Sequence, residues 1–346
     1  MSAPVRGGKF RAYLEFVAAV LYFFVARSFA RGLAVRVHHD AWEPLIEQFL
    51  LAALLILGYA AFGSLFDRQS GSIAAQGLPL RTGWTREIGV GMAVGWGAVV
   101  ACVLAMVVIG GIAIVVTTQP SAWPWLITDA AYFALLTLGE EVAFRGYGFQ
   151  RFSAVVGSSG AAFGFALFYA IVHALQPGST NASIAISVVF SFLLTTAYLR
   201  TRALWLSWGL NFAWKASQAL VFGLAVSGVS SHSPVIEGNP MGPFWLTGGG
   251  FGLDASWFAC LVLLAAFPVI HRVTRDLDFR YNAPVIVPGG IPVDLDAAAR
   301  RQHETAMGPA AEPPVPALIQ ILTVAAPPAP AQPASETAAA GSEDPR

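Results

Sequence analysis

The sequence predicts an all-α fold: a polytopic membrane helical bundle of about eight transmembrane helices, followed by a disordered C-terminal tail. Three observations predict it. Of the 346 residues, 56% are hydrophobic and only 12% are charged, about half the charged share of a soluble domain. The mean hydropathy is +0.62. The apolar residues also fall in runs of about 20, the length at which a helix crosses a hydrocarbon core of roughly 30 Å.

The eight runs lie near 12–30, 44–66, 88–116, 124–147, 157–176, 182–199, 203–226 and 254–271. The third is long, and Gly89, Gly91, Gly95, Gly110 and Gly111 within it suit close helix contacts or a kink. Lys and Arg in short loops set orientation. Arg68, Arg81 and Arg86 separate runs two and three, Arg145 and Arg151 follow run four, Arg200 and Arg202 separate runs six and seven, and Arg272 and Arg275 follow run eight. The opposite loops, TTQPSAW and QPGSTN, carry no charge. This alternation predicts a multi-pass protein of the cell membrane with both termini cytoplasmic. One loop disagrees, because Arg27, Arg31 and Arg36 then fall outside. The first apolar run is too long for a cleavable signal peptide and lacks a small-residue cleavage site, so none is expected.

Three parts follow: a two-helix membrane segment at 1–75, a core at 76–275, and a Pro/Ala-rich tail at 284–346. The tail holds more than half of the chain's 22 prolines and cannot bury enough apolar surface to offset chain entropy. Within it, LIQILTV (318–324) is a short apolar island. The formal net charge is zero and no basic stripe appears, so no nucleic-acid partner is expected. Cys102 and Cys260 both fall in apolar runs, which argues against a disulfide framework or a cysteine-rich metal site.

The polar residues inside the apolar runs carry the functional argument, because a charge inside a bilayer is costly and marks a site by default. LGEEVAFRGYGF closes the fourth run. Glu140 and Glu141 point about 100° apart on a helix, whereas Glu141 and Arg145 stand at i, i+4, the spacing of a helical ion pair. Glu140 is then left without a local counter-charge and suits a general base. The alternative is a structural charge network that holds helices together. His173 is the one histidine firmly within a predicted run, and reads either as a helix-packing residue or as a partner of the glutamates. On the seventh run, Asn211 and Lys215 stand at i, i+4, with Ser207 one turn earlier on the same face. Lys215 either pairs with Glu140 or Glu141 or snorkels to the interface. At about 1.5 Å per residue the depths of Glu140 and His173 differ by roughly 10 Å. Bringing them together requires a break, which Gly139, Gly146 and Gly148 permit.

E-E-x-x-x-R on one membrane helix, [FY]-x-x-x-H on the next, and a polar pair four apart near L-W-x-x-x-G-L two helices later resemble the CPBP family. These intramembrane proteases include the type 2 CAAX prenyl endopeptidases and bacterial bacteriocin-immunity (Abi) proteins. The matching residues are Glu140, Glu141 and Arg145, then Tyr169 and His173, then Asn211 and Lys215. GLPLRTGWTREIGVG before the third run and LTGGGFGLDASW (246–257) resemble the family's lead-in and its late glycine-rich loop. The resemblance spans about residues 75–275. The third motif departs from the family's H-x-x-x-N (or D), with Asn211 for the His and Lys215 for the Asn or Asp.

The resemblance implies an intramembrane endopeptidase with a water nucleophile. Glu140, assisted by His173, would activate the water; Glu141 and Arg145 would orient the helix; Asn211, with Lys215, would hold the oxyanion. A lysine paired to Glu140 would instead occupy the base. The family has also been called metalloproteases. A catalytic zinc needs three protein ligands, and this sequence offers Glu140 and His173 with no H-E-x-x-H, so no cofactor is favoured, although zinc is a possibility. The implied partners are the bilayer and a membrane-embedded or lipidated peptide or protein. Two other readings compete: an inactive relative serving as a membrane scaffold or immunity factor, and a proton-coupled transporter using Glu, His and Lys as a relay. Against the transporter, no sequence repeat is visible.

Overall fold

Charged side chains lie inside this protein and large apolar ones outside. Glu15, Glu87, Glu141, Arg145 and Lys215 are buried, while Phe10, Leu21, Phe29, Leu57, Leu104 and Ile127 are exposed. Water would not tolerate that arrangement over whole helices, but hydrocarbon favours it. The structure, a computed structural model, describes residues 8–37, 42–66, 72–117, 119–230 and 235–275. The tail at 284–346, with its apolar island, lies outside the described residues, as do Arg68, His38, His39, His232 and His303.

The elements in order are α1 (Gly8–Ala34), α2 (Glu43–Phe66), α3 (Trp84–Val108), β1 (Ile112–Val116), α4 (Trp123–Arg145), α5 (Tyr147–Ala174), α6 (Asn181–Thr201), α7 (Leu204–Ala216), β2 (Ile236–Pro240), α8 (Phe244–Thr247) and α9 (Trp257–Val273). Five segments are long and apolar enough to cross a membrane: Gly8–Val37, Glu43–Phe66, Trp84–Val108, Trp123–Ala174 and Asn181–Thr201. The fourth joins α4 and α5, and Trp257–Val273 is a shorter apolar helix. The protein is a membrane-embedded helical bundle.

Two of the expected runs end early. The third apolar run extends to 116, but its helix stops at Val108, and Ile112–Val116 pairs antiparallel with Ile236–Pro240. The β-branched IAIVV favours a strand once a partner strand is present. The seventh was read to 226, but α7 ends at Ala216, continues through one wide π-turn (Ser217–Val221), and the chain then leaves the helix axis. Apolar composition alone does not separate a helix from a buried strap.

The α3–α7 contact is the closest in the bundle and sets where Asn211 and Lys215 sit. A Cβ on Gly91 would lie 2.2 Å from the Leu206 carbonyl oxygen, and one on Gly209 would lie 2.4 Å from that of Ile88. Each backbone occupies the space that a side chain would need on the other helix, as in small-residue membrane interfaces. Gly91→Ala is therefore expected to destabilise the fold by about 1–3 kcal/mol through overpacking. Gly97→Ala, where nothing lies within 4 Å, should leave the unfolding midpoint in detergent unchanged.

Polar contacts gather many of the arginines at one end of the bundle. Arg81 pairs with Glu87 at 2.8 Å and donates to the Thr201 carbonyl at 2.7 Å, while Arg200 reaches Thr274 at 2.5 Å. There too, buried Glu15 of α1 takes Arg11 at 2.9 Å, Arg151 of α5 at 3.3 Å and the Tyr147 hydroxyl at 3.2 Å. This network ties the first helix to the segment that follows Arg145.

Candidate active site

α4 and α5 form an antiparallel hairpin whose register aligns Glu140 with His173. α4 breaks at Gly146, and the following helical piece runs to Gly157, whose φ of 82° and ψ of 163° reverse the chain. That conformation is essentially restricted to glycine. Phe149 then packs on Phe165 at 5.4 Å, and Phe144 on Tyr169 at 5.0 Å. Continuing that pairing one turn further brings residue 140 opposite 173, and both side chains line one cavity of about 140 Å³. The expected depth difference of roughly 10 Å takes the fourth run to end at residue 147; helical structure instead resumes at Tyr147 and continues to Gly157 before the chain reverses.

Glu141 and Arg145 form the expected i, i+4 pair at 3.3 Å, with both side chains fully buried. Arg145 also donates to the carbonyl and hydroxyl of Ser191, each at 3.1 Å, and lies 5.8 Å from the Tyr169 ring centroid. This guanidinium therefore joins α4, α5 and α6.

Glu140 pairs with Lys215, Oε1 to Nζ at 2.5 Å. Asn211 bridges the two acids: its Nδ2 donates to Glu140 Oε2 at 3.0 Å and to Glu141 Oε1 at 2.9 Å. Both carboxylates can only accept, which assigns the amide orientation. Ser207 adds its hydroxyl beside Glu141. Lys215 pairs rather than snorkels. His173 stacks on Tyr169 at 4.2 Å, and its Nδ1 lies 2.9 Å from the Tyr169 carbonyl oxygen. Since a carbonyl only accepts, Nδ1 carries a hydrogen, and Nε2 is the ring nitrogen left for the cavity. The seven motif residues, Tyr169 included, thus form one contiguous cluster.

Residues 119–217 match the family model described as Type II CAAX prenyl endopeptidase Rce1-like. This segment is CAAX-protease-like. It runs from the turn before α4 to the end of α7, and it contains Glu140, Glu141, Arg145, His173, Asn211 and Lys215. No curated protein and no solved structure gives a significant match to the chain.

Among the described residues, no group of three or more His, Cys, Asp or Glu could hold a metal ion. Both oxygens of Glu140 accept, one from Lys215 and one from Asn211.

Several cavity residues were not anticipated. Asp129 lies on the Glu140 face of α4, three helical turns earlier, and Gln176 follows α5. Asp129 could have been found by its charge inside an apolar run, the criterion that singled out Glu140. Val226, Ser227, Val229 and Ser230 close the cavity from the segment after α7. Ser227 (φ 49°) and Gly228 (φ 79°) are the central residues of a two-residue turn closed by Val226 and Val229, with N–O distances of 2.9 and 3.0 Å. Two successive positive φ angles mark a type I′ turn, and a serine there carries a cost of about 1–2 kcal/mol. Asp254 offsets it by accepting from the Ser227 hydroxyl at 2.7 Å and backbone N–H at 3.0 Å. Its other oxygen accepts from Trp214 Nε1 at 2.8 Å.

Proposed function

We propose that this protein is an intramembrane endopeptidase that hydrolyses a peptide bond with a glutamate-activated water. One observation carries the reading: one cavity in the bundle is lined by a carboxylate (Glu140), an imidazole (His173) and an ammonium (Lys215), with an amide (Asn211) against the carboxylate. Water entering between Glu140 and His173 would lose a proton to Glu140 as its oxygen attacks the carbonyl carbon. Protonation neutralises Glu140 and weakens its hold on Lys215 and Asn211. Both donors are then available to the oxyanion of the tetrahedral intermediate. The negative charge passes from the carboxylate to the oxyanion, so the site keeps the same net charge. Glu140 would return the proton to the amine as the C–N bond breaks. Glu141 and Arg145 would hold the helix that presents Glu140. The substrate would be a membrane-embedded or lipidated peptide or protein, reached from a chain whose termini are both cytoplasmic, with a core at 76–275 beside the two-helix segment at 1–75.

The test is cleavage of labelled membrane-anchored peptides by purified protein, with and without a chelator. Cleavage that is retained in chelator and absent from Glu140→Gln is the expected result. Loss to chelator would overturn the metal-free mechanism. A second reading, an inactive family member acting as a scaffold or immunity factor, is favoured by the Glu140–Lys215 pair itself, which occupies the base. Full biological effect retained by Glu140→Ala would select it.

A further inference from the structure

We propose that residues 222–230 form a strap latched over the cavity, and that Asp254, in the glycine-rich loop at 246–257 and beyond the family match, is its latch. The strap leaves α7 at the end of the π-turn and folds back across the site. Val226, Ser227, Val229 and Ser230 cover the cavity that Glu140, His173 and Lys215 line from below. At about 140 Å³ this space accommodates a few waters, at roughly 30 Å³ each. Pockets that bury a small organic ligand run to about 300 Å³ or more. A substrate residue seated against Glu140 therefore needs more room than this cavity gives.

The helical walls are poorly suited to making that room. α4 and α5 are held by Arg145, and α7 is interlocked with α3 by backbone contact. The strap is held differently. Its base is fixed, where the Gly238 N–H donates to the Gly223 carbonyl at 2.9 Å and the Leu224 N–H to the Gln218 carbonyl at 2.8 Å, and its tip is the two-residue turn at Ser227 (φ 49°) and Gly228 (φ 79°). Its fixed point to the late glycine-rich loop is the Asp254 carboxylate, which grips Ser227 through both hydroxyl and backbone N–H. The backbone bond from Gly228 to the Phe251 carbonyl, at 3.1 Å, lies beside it. Through Trp214 the same carboxylate touches α7 next to Lys215. Asp254 is thus a positioning residue: it spans the movable wall and the fixed one. Releasing Ser227 frees a turn that is strained on its own. The proposal concerns access to the cavity and does not depend on the reaction inside it.

The experiment measures that access directly. In full-length protein with Cys260→Ala, Leu136→Cys places a thiol on the cavity wall, and native Cys102, fully buried in the core, reports loosening of the whole bundle. A charged methanethiosulfonate reagent is applied in detergent to the latch-intact protein and to Ser227→Ala and Asp254→Ala derivatives. The expected result is a Leu136→Cys labelling rate at least tenfold higher in both latch variants, with Cys102 unreactive throughout. If Asp254→Ala does not fold, Ser227→Ala carries the test, because it leaves the Trp214 bond in place. Equal rates in all proteins, or acceleration only where Cys102 is also labelled, would overturn the proposal.

Discussion

Glu140→Gln is expected to lower both stability and cleavage, and adding Lys215→Met is expected to restore only the stability. Removing one partner of a buried ion pair leaves an uncompensated charge and costs about 3–5 kcal/mol. Glu140 keeps 18% side-chain exposure and Lys215 only 5%, so the lower end of that range applies to each single variant. Removing both charges leaves no orphan, and the double variant should unfold close to wild type. Cleavage should behave differently. Loss of a general base lowers the rate by about 10²–10⁴-fold, and no repacking at Lys215 restores a proton acceptor. Unfolding titrations and cleavage rates for all four proteins of the cycle separate the two roles. A double variant that regains both stability and cleavage would leave Glu140 as a structural charge and end the base assignment.

Arg145→Leu is expected to remove most folded protein from detergent extracts. Its guanidinium is fully buried and holds Glu141, the Ser191 carbonyl and the Ser191 hydroxyl at 3.1–3.3 Å. Truncation strands the Glu141 charge among apolar neighbours with Asn211 as its main donor. The cost of about 3–5 kcal/mol is a large share of the 5–15 kcal/mol that holds a typical protein folded. Arg145→Lys should not rescue it, because a compact ammonium lacks the planar fork that reaches acceptors on two helices at once. Adding Glu141→Gln should recover part of the loss. A monodisperse Arg145→Leu protein with an unchanged unfolding midpoint would show that the charge is dispensable to the fold.

How far the sequence could be read depended on the range of each interaction. The Glu141–Arg145 pair was legible because both residues sit one turn apart on one helix. The eight apolar runs were legible because hydrocarbon thickness sets their length. IAIVV was misread because its strand partner lies more than a hundred residues away, at Ile236–Pro240. The strap is not legible because LVFGLAV is as apolar as the helix before it, and the partners of its turn, Asp254 and the Phe251 carbonyl, lie more than 20 residues further along the chain. Asp129 carried a visible signal that no motif claimed.

By itself the sequence determined that the chain is a membrane bundle, which residues are charged within it, and which pairs form inside a single helix. Tertiary structure alone decided that Lys215 pairs with Glu140 rather than Glu141, across 75 residues, and that His173 shares their cavity. The reason is geometric. Periodicity along one helix specifies its faces, but the register between two helices depends on where the chain turns. Here it turns at Gly157, eleven residues past the break at Gly146.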